Sequence, residues 1–224
     1  FEAEVSRPDH EINLMTAAAL IALHADPTLD LEAKIFDPLH KLRSQFQQKI
    51  AESPLLGSMT EASGPVWEQS VASLLCSFMM AANFRGCERT NSSYYRADNS
   101  LMHRVLETGV GIPITLSLTY MSVAEGVGLQ LRGVNYPGHF LLAYGHGSSL
   151  GFVDAFQNRL IMEDEAQDII KIAGPDPEQL PNKLVLLRML LNFQGAHVRE
   201  QNFDKKDRIL EYVTKIEEAS RMFP

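Results

Sequence analysis

The residues best suited to chemistry in this sequence are a histidine and an aspartate in neighbouring β-like stretches. His139 opens HFLLAY after a Pro-Gly turn, and Asp154 lies in FVDAF, beyond a Gly/Ser-rich segment. If that segment turns as a hairpin around Gly147-Ser148, Leu141 faces Asp154. His139 shares a face with Leu141, because strand side chains alternate. Diagonal neighbours lie about 7 Å apart, within reach of a histidine–carboxylate hydrogen bond. The sequence therefore predicts an imidazole base oriented by a carboxylate.

A base of this kind needs a nucleophile, and the start of a helix is a place that stabilises an anion. The predicted helix that begins at Pro113 precedes the two strands and offers Thr115 and Ser117 in its first turns. Hydroxyls are weak nucleophiles unless they are activated, and within helices they commonly bond the preceding turn of carbonyls. Thr115 and Ser117 are therefore candidate catalytic residues, with a purely structural role as the alternative.

The two cysteines do not fill the nucleophile position. Cys76 lies in an apolar helical run and Cys87 lies in a polar loop, both far upstream of Pro113. Two cysteines are too few for a disulfide framework and form no metal-ligand cluster. They indicate free thiols in a reducing compartment, either the cytoplasm or the interior of an organelle after removal of a targeting segment.

One run of acidic residues could in principle bind a metal ion. The run Glu163-Asp164-Glu165 is typical of a helix start, where carboxylates complement the helix dipole. No histidine or further carboxylate is spaced to complete a set of ligands around it. We therefore expect no metal site and no cofactor.

The elements that position these residues are predicted from a change of hydrophobic period. Helical spacing dominates before position 125 and from position 183, and a period of two appears in the segments between positions 129 and 156. Helices are predicted over 12–23, over 65–82 and over 113–124, with a short one after 101. A further helix is predicted after a possible cap at Asp30, with an apolar stripe at 39–50. Two more helices are predicted from 183 to the end, with a break near 201–202. Strands are predicted over 129–135, 140–144 and 152–156. This order indicates an α+β fold, in which a central helix packs on a small antiparallel sheet between N-terminal helices and a C-terminal helical hairpin.

The composition excludes two classes of partner. Of the 224 residues 45% are hydrophobic and 21% charged, as in ordinary globular proteins, and the net charge is −8. Without a cluster of Lys and Arg, an acidic chain is a poor ligand for nucleic acid. No apolar run approaches the roughly 20 residues of a membrane span. The expected partners are proteins, either a single protein or a larger assembly.

Several stretches resemble one family. GIPITLSLTYMSVAEGVGLQLRGVNYPGHFLL followed by VDAF resembles the transglutaminase-like core of the SirB-one family. INLMTAAALIALHADPTLDL and NFRGCERTNSSYYRADNSLMHRVLETGVGIP resemble its upstream helices and loop, and LLRMLLNFQGAHVREQNF resembles the start of its tetratricopeptide-like helices. The resemblance covers most of the chain. It implies a transglutaminase-like domain at 1–174 and a partial tetratricopeptide-like extension at 175–224.

The resemblance also implies roles for particular residues. A papain/transglutaminase-type site has a cysteine at a helix start, a histidine on a strand and an acidic residue on the next strand. His139 and Asp154 match the last two positions, whereas the cysteine position falls at about Pro113. Three residues near these motifs, Asn135, Tyr136 and Asn99, are candidate binding residues.

Three functions remain open at this point. The first is a non-catalytic interaction or scaffold module in which the His139/Asp154 pair is vestigial. The second is a hydrolase or acyl transferase in which His139 activates a hydroxyl or a water molecule. The third is a subunit buried in a large assembly, which would show large apolar surface patches.

Overall fold

A computed structural model describes residues 1–59 and 64–222 and shows an α+β fold. In the described residues the α-helices are α1 (Glu2–Val5), α2 (Leu14–Ala25), α3 (Asp37–Ala51), α4 (Pro65–Ala81), α5 (Asn91–Tyr94), α6 (Met102–Thr108), α7 (Pro113–Glu125), α8 (Glu163–Ala173), α9 (Asn182–Arg199) and α10 (Phe203–Met222). The strands are β1 (Arg85–Gly86), β2 (Val110–Gly111), β3 (Arg132–Tyr136), β4 (His139–Tyr144), β5 (Gly151–Asp154) and β6 (Arg159–Leu160). The predicted fold class is confirmed.

The strands form two sheets. β1 and β2 pair in parallel, and β3, β4, β5 and β6 form an antiparallel sheet in that order. Phe140, Leu142 and Val153 belong to the main core, which they share with α7 and the N-terminal helices. Val134, Leu141, Ala143 and Phe152 form a smaller core with Ile169 of α8. The alternation along β4 thus gives the larger sheet two covered faces, one under α8 and one over the main core.

The N-terminal helices follow their sequence signals. The Asn13 side chain caps α2 by accepting a hydrogen bond from the N–H of Thr16 at 2.9 Å. The alanine-rich face of α2 is fully buried, and the helix ends before the Asp26-Pro27 turn as predicted. Asp30 accepts the N–H of Ala33 at 3.0 Å, at the start of a π-helical turn (Glu32–Phe36) that continues into α3.

Helix α7 is the centre of the fold. Nearly all of its side chains are buried, which is typical of a helix with neighbours on every side. Pro113 at its first position lacks only an N–H that a helix start leaves unbonded. At its other end Gly128 adopts φ +83°, and the N–H of Leu129 bonds the Ala124 carbonyl at 3.1 Å. Because Leu129 belongs to this helix ending, β3 begins at Arg132 and not at the predicted position 129.

The C-terminal helices form an antiparallel pair. α9 and α10 are separated by a short turn in which Gln201 has φ +57°, close to the predicted break. α9 also packs against α2 and α7, and α10 packs against α1. The boundary at 174/175 between two domains stays a prediction. None of the helices in the described ranges combines the length and apolar character needed to cross a membrane.

Candidate functional site

His139 and Asp154 meet at the ends of adjacent strands. Nε2 of His139 lies 2.9 Å from Oδ2 of Asp154. Leu142 lies opposite Val153, which is the register that the predicted turn requires. The His139 side chain is 13% exposed and that of Asp154 is 2% exposed. The structure therefore brings the two predicted residues into one nearly dry hydrogen-bonded pair, while their catalytic role stays a prediction.

The Asp154 carboxylate also fixes the chain that follows it. Its Oδ1 accepts the backbone N–H of Phe156 at 2.9 Å and that of Gln157 at 3.1 Å. This local turn takes both N–H groups out of strand pairing, so β5 ends at Asp154 and not at the predicted Phe156. Burial acts to raise the pKa of Asp154, but the hydrogen bond and charge of His139, with the two backbone donors, outweigh it and lower that pKa.

The charge state of Asp154 determines the tautomer of His139. An ionised carboxylate only accepts hydrogen bonds, so Nε2 of His139 carries the proton that it donates. In the neutral ring Nδ1 then carries the lone pair. Nδ1 is buried and has no hydrogen-bond partner among residues 1–59 and 64–222. The arrangement is that of an oriented base whose reactive nitrogen contacts no donor.

We expect the lowered pKa of Asp154 to appear as acid lability. The folded pKa lies below the unfolded value of about 3.9, so the stabilisation is complete above that pH. It is lost as the pH falls from there through the folded pKa. Urea unfolding measured from pH 6 to pH 2.5 should show a steeper loss of stability for the wild type than for Asp154→Asn. Parallel curves for the two proteins would contradict the ionised, paired state of Asp154.

In the part of the chain that the structure describes, neither hydroxyl candidate on α7 is hydrogen-bonded to His139. Thr115 is fully buried, and its Oγ1 donates to the Asn99 carbonyl at 2.9 Å and accepts the N–H of Ile112 at 3.2 Å. Ser117 is also fully buried, and its Oγ has no hydrogen-bond partner within the described residues. Thr115 therefore holds the start of α7 against the preceding loop, and neither hydroxyl is bonded to the base.

The two cysteines lie on the core side of the fold. Cys76 is on α4 and Cys87 follows β1, and both are 4% exposed. Burial, helped by the charge of Asp154, raises the pKa of Cys76 to about 12. Burial also raises the pKa of Cys87 to about 11, although Arg89 partly opposes it. Both are therefore protonated thiols at neutral pH, the form that does not act as a nucleophile.

The three candidate binding residues lie in different settings. Asn99 is buried, and its side-chain amide donates to the Ser93 carbonyl at 2.8 Å. Tyr136 lies across from His139 on β3 and packs against the smaller core. Asn135 is exposed, and its side-chain oxygen accepts a hydrogen bond from Arg188. Asn135 and Tyr136 thus border the His139 strand, whereas Asn99 supports the start of α7.

An aromatic residue that the sequence did not point to contacts the His139 ring, and it is itself contacted by a further aromatic ring and an arginine. Phe156 meets that ring edge to face, with centroids 6.1 Å apart. Its own ring lies on Gly86, where a Cβ atom would come within 2.6 Å of it, so this position of β1 excludes a side chain. The guanidinium of Arg89 lies 5.1 Å from the Phe156 centroid, and the Tyr94 ring is 6.4 Å away. No local sequence signal marks these residues, because the contacts join Phe156 to a stretch of the chain far upstream of it.

Two other features are separate from this pair. Glu32, Asp37 and His40 bring potential metal ligands within 4.8 Å of one another, but all three side chains are exposed. A cavity of about 420 Å³ lies between the start of α2, α3 and the C-terminal half of α7, and it is lined in part by His40, Arg43 and Glu125. Its lining includes neither His139 nor Asp154.

Comparisons with known proteins agree with this architecture. A family model described as the transglutaminase-like superfamily matches residues 33–191. A UPF0162 protein of Xylella fastidiosa (strain 9a5c) is 27% identical over 229 residues, which cover 95% of this chain and 76% of that protein. F-box only protein 21 of Mus musculus is 46% identical over 63 residues, which are 28% of this chain and 10% of that protein. No solved structure gives a significant match.

Proposed function

The chain belongs to the transglutaminase-like superfamily, and from that premise we propose that it is a non-catalytic interaction module, acting as a scaffold or assembly subunit in a larger complex. One observation carries the proposal. The helix start where a nucleophile is expected holds Pro113, and within residues 1–59 and 64–222 no hydroxyl or thiol is hydrogen-bonded to the free nitrogen of His139. The His139–Asp154 pair then serves as a clamp between β4 and β5.

The finer family assignment is part of the same proposal. The paired motifs GIPI and PGHFL support membership of the SirB-one family. The antiparallel pair of α9 and α10 supports a partial tetratricopeptide-like unit, although α10, with 20 residues, is long for such a repeat. Stacked helical pairs commonly bind protein segments along their exposed faces.

The C-terminal pair offers a surface for such a partner. Leu184, Leu191 and Val198 lie at seven-residue intervals on α9 and are 43%, 48% and 44% exposed. This spacing aligns them along one side of the helix, and we call these three residues the α9 stripe. Phe203 and Leu210 on α10 are exposed at the same interval. The partner that suits the α9 stripe is a protein with an amphipathic helix, whose apolar face would cover it.

A second function is kept because of a specific observation. The unpartnered Nδ1 of His139 has the lone pair of a general base, and Asp154 orients its ring. A water molecule at that nitrogen would make the pair a hydrolase or acyl transferase. The buried position of Nδ1 opposes this function, since substrate and water must both reach it.

Three measurements, of hydrolysis, of cross-linking and of partner binding, separate the two functions. We expect the wild type and His139→Ala to hydrolyse activated esters and amides at the same background rate. A photoreactive amino acid at position 191 should cross-link one defined protein in cells, whereas the same group at the exposed Leu55 should not. The glutamate variant Leu191→Glu should weaken binding of the identified protein at least about tenfold, by placing a charge in an apolar contact.

Two outcomes would contradict the interaction module. Turnover that disappears in His139→Ala would establish the hydrolase in its place. Identical cross-linking from positions 191 and 55 would remove the α9 stripe as the specific surface.

A further inference from the structure

The hairpin that carries His139 is held from outside by the C-terminal helix. Arg188 of α9 donates one guanidinium N–H to the backbone carbonyl of His139 at 3.0 Å. Another guanidinium nitrogen donates to the Asn135 side-chain oxygen. The carbon at the centre of the guanidinium lies 5.3 Å from the centroid of the Phe140 ring. The Arg188 side chain thus contacts both strands of the β3–β4 hairpin close to the Pro137-Gly138 turn that connects them.

The Arg188 guanidinium is partly buried and its donors are paired, unlike those of a solvated surface charge. Burial lowers the pKa of Arg188, and Tyr94 partly opposes this effect. A half-buried guanidinium is stable only when its donors are used, and here the fork of donors matches two oxygen acceptors while the ring of Phe140 covers its face. A lysine has one ammonium group and cannot reproduce this planar contact.

The contact of Arg188 with the His139 carbonyl affects the acid–base pair, because it acts on the backbone of one of the two residues. His139 is the first residue of β4, next to the exposed Pro137-Gly138 turn, and it pairs with Tyr136 at the last register position before that turn. The Asp154 side of the pair is fixed by its own turn. The backbone of His139 is therefore the less constrained side, and Arg188 is the contact that restrains it.

We propose that Arg188 is the positioning residue of the His139–Asp154 pair, and that α9 is consequently part of the candidate site. The assignment does not depend on whether the pair is catalytic or structural. The family match runs to residue 191 and so includes this turn of α9.

Nuclear magnetic resonance on the full chain tests the assignment. The ring proton that His139 donates to Asp154 should give a downfield, slowly exchanging resonance in the wild type. In Arg188→Ala we expect this resonance to broaden or vanish, and exchange of the Tyr136 and His139 amides to accelerate about tenfold. Asn135→Ala removes one of the two acceptors and should give a smaller change, and Arg188→Lys should recover only part of the effect.

Arg199→Ala is the matched control. Arg199 lies on the same helix and also stacks on an aromatic ring, that of Tyr95, and in the described part of the chain no hydrogen bond joins it to the hairpin. An unchanged ring-proton resonance in folded Arg188→Ala would overturn the assignment, as would an equal change in Arg199→Ala. If Arg188→Ala fails to fold, unchanged spectra in both Asn135→Ala and Arg188→Lys would overturn it.

Discussion

Asp154→Ala is expected to destabilise the protein by about 3 kcal/mol, because it leaves three donors, one in a buried and two in part-buried hydrogen bonds, without an acceptor. These are the ring nitrogen of His139 and the backbone N–H groups of Phe156 and Gln157. Asp154→Asn keeps an oxygen for the two backbone donors. It replaces the charged acceptor opposite His139 with an NH2 donor, which the ring can accept at Nε2 only by changing tautomer, so we expect a cost of about 1 kcal/mol. Urea unfolding with an unchanged m-value measures both costs.

Asp168→Asn controls for the loss of a carboxylate in general. Asp168 is exposed and pairs with Lys171 one helical turn away, so its replacement should change stability by less than about 0.5 kcal/mol. Equal costs for Asp154→Ala and Asp154→Asn would show that the charge opposite His139, and not the turn after β5, determines the stability of this region. A cost below about 1 kcal/mol for Asp154→Ala would contradict the structural clamp.

Much of the fold followed from local patterns. Pro113 and the two glycines after Ala124 predicted the ends of α7 almost to the residue, because proline and glycine act through the backbone of their own segment. The Gly/Ser turn at 145–151 predicted the pairing of β4 with β5, because in a hairpin the turn sets the register. The contact between His139 and Asp154 followed from that register alone.

The features that the sequence did not predict depend on long-range contacts. β1 and β2 have two residues each and pair across 25 positions, so neither contains enough residues to show a period. The acceptor for Thr115 is a carbonyl 16 positions upstream. Arg188 reaches the His139 carbonyl from 49 positions downstream, within a helix whose pattern indicates only which face is apolar. Such contacts depend on how the elements pack, and no local pattern encodes them.

The state of the two thiols connects the fold to the proposed function. An active cysteine of this superfamily is expected to be ionised by a nearby base and accessible to a reagent. Cys76 and Cys87 are buried, and their pKa values are raised to about 12 and about 11. At pH 7.5 the ionised fraction of Cys87 falls roughly two to three orders of magnitude below that of a free thiol with a pKa of about 8.5.

We therefore expect both cysteines of the native protein to react with iodoacetamide at least about a hundredfold more slowly than glutathione at pH 7.5. In urea both thiols should react at the rate of an unstructured cysteine, which shows that the folded structure is the cause. Mass spectrometry of the alkylated peptides follows each site separately, and His139→Ala should leave both native rates unchanged. A cysteine that reacts faster than glutathione and becomes slow in His139→Ala would be an activated nucleophile. That result would establish thiol chemistry at the site and would rule out the non-catalytic module.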